Sequence, residues 1–102
     1  MNEIIETTFT FRNTESTDPL RDHTMEKLMR LHKFLFKPAE AHCILKVEGA
    51  RHVAEITLNA NGARYVGLET SNDMYTSIDA AVDKICKQLS RTKERLKGHK
   101  GE

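Results

Sequence analysis

Basic side chains concentrate near the end of the sequence, in the segment DKICKQLSRTKERLKGHK at 83–100. At ~100° per residue of an α-helix, Lys87, Arg91 and Arg95 lie within about 60° of Lys84 and nearly opposite the apolar positions. They would form a stripe roughly 16 Å long. A stripe of this kind suits the phosphates of a nucleic acid. Lys93 and Lys97 fall toward the apolar side, which predicts that the end of this helix projects past the rest of the fold.

A second, weaker group of bases lies in an earlier predicted helix. Arg30, Lys33 and Lys37 cluster on the side away from the leucines of that helix, with Lys27 at the boundary. One such stripe is also what an ordinary solvated helix face looks like, because Lys and Arg are good helix formers. Two stripes with few offsetting acids favour an RNA-binding surface instead.

Other patterns of reactive side chains are weak. The histidines have no close spacing to one another or to a cysteine, except His42 and Cys43, which must point to opposite faces of a strand. Asp79 and Asp83 share a helix face, but without a partner base, so helix solubility explains them better. The sequence has no glycine-rich phosphate loop, nucleophile elbow or catalytic triad. We therefore predict no catalytic residues, no metal, no cofactor and no enzymatic activity.

The composition describes a single globular domain, residues 1–102, with a flexible tail expected at 98–102. The chain is 38% hydrophobic and 30% charged, and its formal net charge is only +1, so the distribution of charge matters more than its sum. No apolar run approaches the length of a membrane span, and the N-terminus lacks the pattern of a signal peptide. We expect a cytoplasmic protein without a membrane partner, in which both cysteines stay thiols.

Hydrophobic periodicity predicts six elements. A strand at 4–11 is followed by a helix from Thr17 or Asp18 to about Phe36 and by three strands at 41–47, 52–60 and 63–70, with a last helix capped by Asn72 or Asp73. Asn61-Gly62 predicts a tight hairpin between the last two strands. The inner face of the final strand stays open, because Val66 with Leu68 and Tyr65 with Gly67 are both suitable.

The order β-α-β-β-β-α, with half-apolar strands and one apolar stripe per helix, indicates an α+β fold. The economical packing is a four-stranded sheet with both helices on one face. The predicted core consists of apolar residues from every layer: Leu20, Leu28, Leu31, Leu45, Ile56, Ile78, Val82, Ile85 and Leu89.

The segment DMYTSIDAAVDKICKQL at 73–89 strongly resembles the signature of the ribosome hibernation-promoting factor and ribosome-associated inhibitor (protein Y) family. That signature reads D-M-Y-x-x-I-D/N-x-x-x-x-K-x-x-x-Q-L and is followed by Lys/Arg-rich residues. TDPLRDHTMEKLMRLHKFL resembles the family's first helix, and CILKVEG and AEITLNANG resemble its second and third strands. The resemblance implies a β-α-β-β-β-α fold similar to double-stranded RNA-binding domains.

For function, the resemblance implies binding to the small ribosomal subunit and its rRNA in the channel of tRNA and mRNA, which silences idle ribosomes under stress and in stationary phase. The short chain resembles the family's short form, linked to paired ribosomes formed with a second hibernation factor, and we expect a monomer off the ribosome. The rRNA-binding bases carried over by position are Arg21, Lys27, Arg30, Lys33, Lys84, Lys87, Arg91, Lys93, Arg95 and Lys97.

Two alternatives come from other classes of function. A generic double-stranded RNA-binding module without ribosome preference would read duplex shape through a loop and a helix N-terminus, whereas the bases here lie along helices. A small nuclease or hydrolase would need a polar pocket with paired carboxylates or a metal.

Overall fold

The computed structural model describes residues 4–100, and the side chains of 4–92. Four strands, two α-helices and a 3-10 helix follow one another along the chain: β1 (Ile5–Arg12), α1 (Asp18–Leu28), the 3-10 helix (Met29–Phe34), β2 (Ala39–Glu48), β3 (Arg51–Ala60), β4 (Ala63–Ser71) and α2 (Met74–Lys100). The expected tail at 98–102 falls on residues whose side chains, and at 101–102 also the backbone, lie outside the described part. It stays a prediction.

The strands form one sheet in the order β1-β2-β3-β4. β1 and β2 are parallel, so the chain needs a long crossover between them, which α1 and the 3-10 helix supply. β2, β3 and β4 are joined antiparallel by short turns. The predicted Asn61-Gly62 hairpin is confirmed: both residues have positive φ, 51° and 79°, as a two-residue turn between twisted strands requires.

Both helices pack on one face of the sheet, as predicted. Alternate residues of each strand face them, and the face is made of small and branched side chains such as Ala41, Leu45 and Ile56, each fully buried. All the core residues predicted from periodicity are buried, from Leu20 to Leu89. The helix starts are also as expected, because Thr17 caps α1 and the Asp73 carboxylate accepts from the backbone N–H of Thr76.

The inner face of β4 is set by a close approach of α2. Tyr65 and Gly67 point inward, and Val66 and Leu68 are exposed on the opposite face. A methyl group on Gly67 would overlap the backbone carbonyl of Ala81, so this strand position must lack a side chain. Apolar character alone could not decide the face, since the more apolar pair is the exposed one.

The first helix is shorter than predicted. It ends at Leu28 rather than near Phe36, and the chain tightens into the 3-10 helix. Leu28, Leu31 and Phe34 are all buried at a spacing of three residues, which fits the three residues per turn of a 3-10 helix. The next residue, Leu35, is only half-buried because Phe34 takes the inward position.

Gly67→Ala should strongly destabilise the fold. The added methyl meets the backbone of α2, which cannot move aside like a flexible side chain, so we expect a loss of about 3 kcal/mol in the free energy of unfolding. Chemical denaturation measures it. Leu68→Ala, a larger change at the exposed neighbouring position, should cost less than about 0.5 kcal/mol. Equal stability of the Gly67→Ala variant and the parent would contradict the close approach.

The two thiols should differ in reactivity. Burial raises the pKa of Cys43 from 9.0 to about 12, whereas Cys86 is half-buried. At pH 8 a disulfide reagent should therefore modify Cys86 and leave Cys43 unreacted until the protein unfolds. The Cys43 thiol ionises at a lower pH in the unfolded protein than in the folded protein. The contribution of the neutral, buried thiol to the free energy of unfolding is therefore fully present below pH 9.0 and is lost as the pH rises toward about 12. Rapid labelling of a folded Cys86→Ala variant would contradict this burial.

Candidate nucleic-acid interface

The path of α2 over the sheet is fixed by polar contacts along its length. Near its start, the Ser77 hydroxyl donates to the backbone carbonyl of His52 at 2.6 Å, beside the last residue of β4. Farther along, Lys84 pairs with Glu69 at 2.7 Å, and the Gln88 amide donates to the carbonyl of Val66 at 2.9 Å. The helix therefore runs backward along β4, and its later half lies toward the Asn61-Gly62 hairpin.

The first helix runs alongside α2 in the same direction. His23 Nε2 lies 2.6 Å from an Asp79 carboxylate oxygen, and the His23 ring meets the Tyr75 ring edge-on at 4.9 Å. One turn later, Lys27 approaches the same carboxylate at 3.7 Å. Because both helices run back from the ends of parallel strands, their C-terminal ends reach the same end of the sheet. We call this the basic end: the C-terminal parts of both helices, the 3-10 helix and the β3–β4 hairpin.

Three of the predicted site residues are exposed cations with neither an ion pair nor a ring contact in the part of the chain whose side chains are described. These are Arg30 at the start of the 3-10 helix, and Lys87 and Arg91 on α2. Lys33 is also exposed, and its ammonium lies 5.4 Å from the centre of the Phe34 ring. The structure thus brings bases from two separate sequence segments to one end of the molecule.

Two predicted site residues also have structural roles. Lys84 bridges α2 to the carboxylate of Glu69, and Lys27 is half-buried against Asp79. A phosphate would have to compete with these carboxylates or share the cations with them. Neither side chain is therefore as available as Lys87 or Arg91.

Arg21 lies apart from the other predicted bases, in the first turn of α1. Its guanidinium stacks over Phe9 and Phe11, 5.5 and 5.8 Å from the ring centres, and its Nε donates to the Ser16 hydroxyl. This cation–π contact covers the half-buried rings at the edge of the sheet. The structure does not bring Arg21 to the basic end.

Three of the predicted basic residues belong to the far end of α2. The backbone of α2 continues to Lys100, but the side chains of Lys93, Arg95 and Lys97 lie outside the described residues. Their role as rRNA contacts stays a prediction.

Sequence reasoning missed what the polar residues of DMYTSIDAAVDKICKQL do within the fold. We assigned Asp79 no partner, yet it joins His23 and Lys27 of the neighbouring helix. Gln88 satisfies a carbonyl of the edge strand β4, which reduces the exposure of that edge. The spacing of Lys84 and Gln88, one turn apart beside the core positions, was the available signal for a shared contact.

Among residues with described side chains, no cluster of histidine, cysteine, aspartate or glutamate could hold a metal ion. His23 and Asp79 form a close pair, and its recorded neighbours are the Tyr75 ring and the Lys27 ammonium. In the described part of the chain, no helix is both long enough and apolar enough to span a membrane. What the site offers chemically is positive charge on a rigid helical frame.

Comparison with known proteins places the chain in a family. The chain is 34% identical over 90 residues to the ribosome hibernation promoting factor of Salmonella typhimurium, covering 88% of this chain and 95% of that protein. It is 38% identical over 84 residues to the protein of the same name from Pseudomonas putida, covering 82% of each.

Solved structures agree with the fold. The crystal structure of the N-terminal domain of Thermus thermophilus protein Y matches with a TM-score of 0.80 and 31% identity, over 85% of this chain and 98% of that one. A ribosomal subunit interface protein from Coxiella burnetii shares the fold, with a TM-score of 0.76 and 22% identity over 87% of this chain and 98% of that one. The family model described as "Sigma 54 modulation protein / S30EA ribosomal protein" matches residues 7–97, and the chain belongs to this family.

Proposed function

We propose that this protein is a ribosome hibernation factor that binds the small ribosomal subunit through its basic end and silences translation by occupying the channel of tRNA and mRNA. One observation carries the proposal. Basic side chains that have no ion pair among the described residues, Arg30 with Lys87 and Arg91, converge from two helices at one end of a chain of this family. Relatives that cover most of its length carry the name ribosome hibernation promoting factor.

Electrostatics favours folded RNA as the ligand of the basic end. The formal net charge of the chain is only +1, so attraction to phosphates must come from a local concentration of cations. Arg30, Lys87 and Arg91 have no carboxylate partner among the described residues and lose no internal ion pair on binding. The frame beneath them is held by the Lys84–Glu69 and Lys27–Asp79 pairs, so little order has to be acquired on binding.

Silencing by occupancy requires only a tight fit in the channel. The basic end supplies cations for rRNA phosphates, and the body of the sheet and helices fills space that tRNA and mRNA would use. The protein would act in the cytoplasm, where ribosomes are, as a monomer off the ribosome. Formation of ribosome pairs with a second hibernation factor is part of the same proposal, since its relatives are named for promoting hibernation.

Charge reversal at Lys87 and Arg91 should weaken binding to purified small subunits and reduce its salt dependence. Each lost phosphate contact lowers the slope of log affinity against log salt by roughly one, so the double variant should lose about two. Sedimentation with small subunits at several salt concentrations measures the slope. The thermal midpoint should change little, because both side chains are exposed.

The matched control reverses two bases on the sheet face away from the helices, Arg12 and Arg51, both exposed. This variant changes the net charge by the same amount but leaves the basic end intact. Its slope of log affinity against log salt should therefore equal that of the parent. Equal losses in both double variants would show that net charge, and not the basic end, governs binding. A competition experiment separates the generic RNA-binding function. That function would be favoured if excess duplex RNA displaced the bound protein from subunits as effectively as an excess of unbound subunits does.

Inhibition of translation should be stoichiometric. In a purified translation system, we expect activity to fall in proportion to occupied ribosomes and to recover after a high-salt wash, with the rRNA intact. Added initiation factors and initiator tRNA should relieve inhibition, because they compete for the channel. Inhibition by a small fraction of an equivalent that persists after the wash would contradict occupancy, and cleaved rRNA would indicate a nuclease.

A further inference from the structure

The loop between the 3-10 helix and β2 presents an aromatic ring to solvent. Phe36 is 80% exposed, more than any other large hydrophobic side chain in the described part of the chain. It lies at the basic end, because its backbone N–H donates to the side chain of Asn61 in the β3–β4 hairpin at 3.0 Å. A phenyl ring left in water contributes nothing to the hydrophobic core and is free to contact a ligand.

The loop that carries Phe36 is held firmly by one side chain. Asn61 accepts from the N–H of Phe36 through its Oδ1, and its amide nitrogen donates to the carbonyl of Phe34 at 2.8 Å. Asn61 itself has a φ of 51°, fixed by the tight hairpin. Leu35, between the two bonded residues, packs against the core, and Pro38 restricts the exit of the loop. The exposed ring is therefore presented on a backbone anchored on both sides.

A groove adjoins this loop. It has a volume of about 450 Å³ and lies between the start of β2 and the β3–β4 hairpin. Its charged lining consists of two cations, Lys37 and Arg64, and one carboxylate, Glu40. Glu40 lies 3.8 Å from His42, whereas both cations are exposed and have no ion pair among the described residues. The remaining lining is small or polar, including Asn59 and Asn61.

We propose that Phe36 and this groove bind an unpaired nucleotide of single-stranded RNA, with the base stacked on the Phe36 ring and the flanking phosphates facing Lys37 and Arg64. Stacking on an aromatic ring beside cations is how proteins bind single-stranded segments. A protein ligand docking on Phe36 would favour large apolar neighbours, whereas the apolar lining of this groove consists only of Pro38 and three alanines, beside two cations without an ion pair among the described residues. The inference rests on the proposed function for its RNA partner, and it adds a contact to a looped-out base to the helical contacts with phosphates.

Phe36 variants test the site on purified small subunits. Stacking of one base corresponds to about a tenfold or larger change in affinity. We expect Phe36→Ala and Phe36→Leu to weaken binding by that factor and Phe36→Trp to bind at least as well as the parent. The salt slope should stay unchanged, because the ring makes no phosphate contact. The matched control is Leu68→Ala, which removes an exposed apolar side chain from the sheet face away from the helices. This variant should bind like the parent.

The leucine variant separates the two classes of partner. Leucine retains the hydrophobic contact that a protein pocket needs but has no ring on which a base can stack. Parent-like affinity of Phe36→Leu would overturn the stacking site and indicate a protein contact. Parent-like affinity of Phe36→Ala would exclude any contact at this position. Because the side chain is exposed, none of these variants should lose stability, which thermal unfolding checks.

A fluorescence measurement tests the site without the ribosome. The chain has no tryptophan, so Phe36→Trp introduces a single indole emitter at the site. At low salt, a single-stranded oligoadenylate should quench its emission by stacking, and a duplex of equal length should quench it much less. Removing the Lys37 and Arg64 charges in the same variant should weaken the quenching. Unchanged emission with a bound oligonucleotide would overturn the proposal.

The subunit-binding measurement and the oligonucleotide measurement together distinguish failure of this site from failure of the proposed function. If the parent did not bind small subunits, the proposed function would be wrong, and the oligonucleotide measurement would still decide whether Phe36 stacks on a base. If the parent bound subunits with the expected salt dependence but the Phe36 variants bound equally well, the ribosomal function would stand and the stacking site would be wrong.

Discussion

The backbone of α2 lies against the backbone of β4 at Gly67, and most of the molecule's functional geometry depends on this contact. Because no side chain separates Gly67 from Ala81, the helix comes close enough for Lys84 to reach Glu69 and for Gln88 to reach the carbonyl of Val66. These bonds fix both the rotation of the helix and its position along the strand. The rotation turns Lys87 and Arg91 to solvent, and the position determines how far the basic end extends beyond the sheet.

Much of the fold could be predicted from local patterns. Alternation in the strands, the Asn61-Gly62 turn and the helix caps all depend on residues close in sequence, and the resulting order and core were confirmed. The inner face of β4 depended on a distant helix backbone, so apolar character favoured the wrong pair as readily as the right one. The early end of α1 had a similar cause: burial of Leu31 and Phe34 against the core selected a tighter helix than propensity indicated.

The candidate site could likewise be predicted only in part. The basic stripe of α2 follows from helical spacing, and Lys87 and Arg91 are exposed as that spacing requires. The partners of Lys84 and Lys27 come from β4 and from the neighbouring helix, so the sequence could not show that two of the expected RNA contacts also hold the structure together. Phe36 carried no signal at all, because an aromatic residue at the predicted end of a helix is indistinguishable from a core residue until its exposure is seen.

The parallel course of α1 and α2 has an electrostatic consequence. Aligned peptide dipoles leave a partial negative charge, roughly half an elementary charge, at the C-terminal end of an α-helix. The end of α1 at Leu28 and the end of α2 at Lys100 lie roughly 30 Å apart along the helix axes, and each would repel an approaching phosphate. A cation on the axis at such an end would partly offset this charge, whereas one that projects sideways from the helix keeps more of its attraction for RNA. Phosphates should therefore be attracted most strongly to the flank of α2, where Lys87 and Arg91 are exposed.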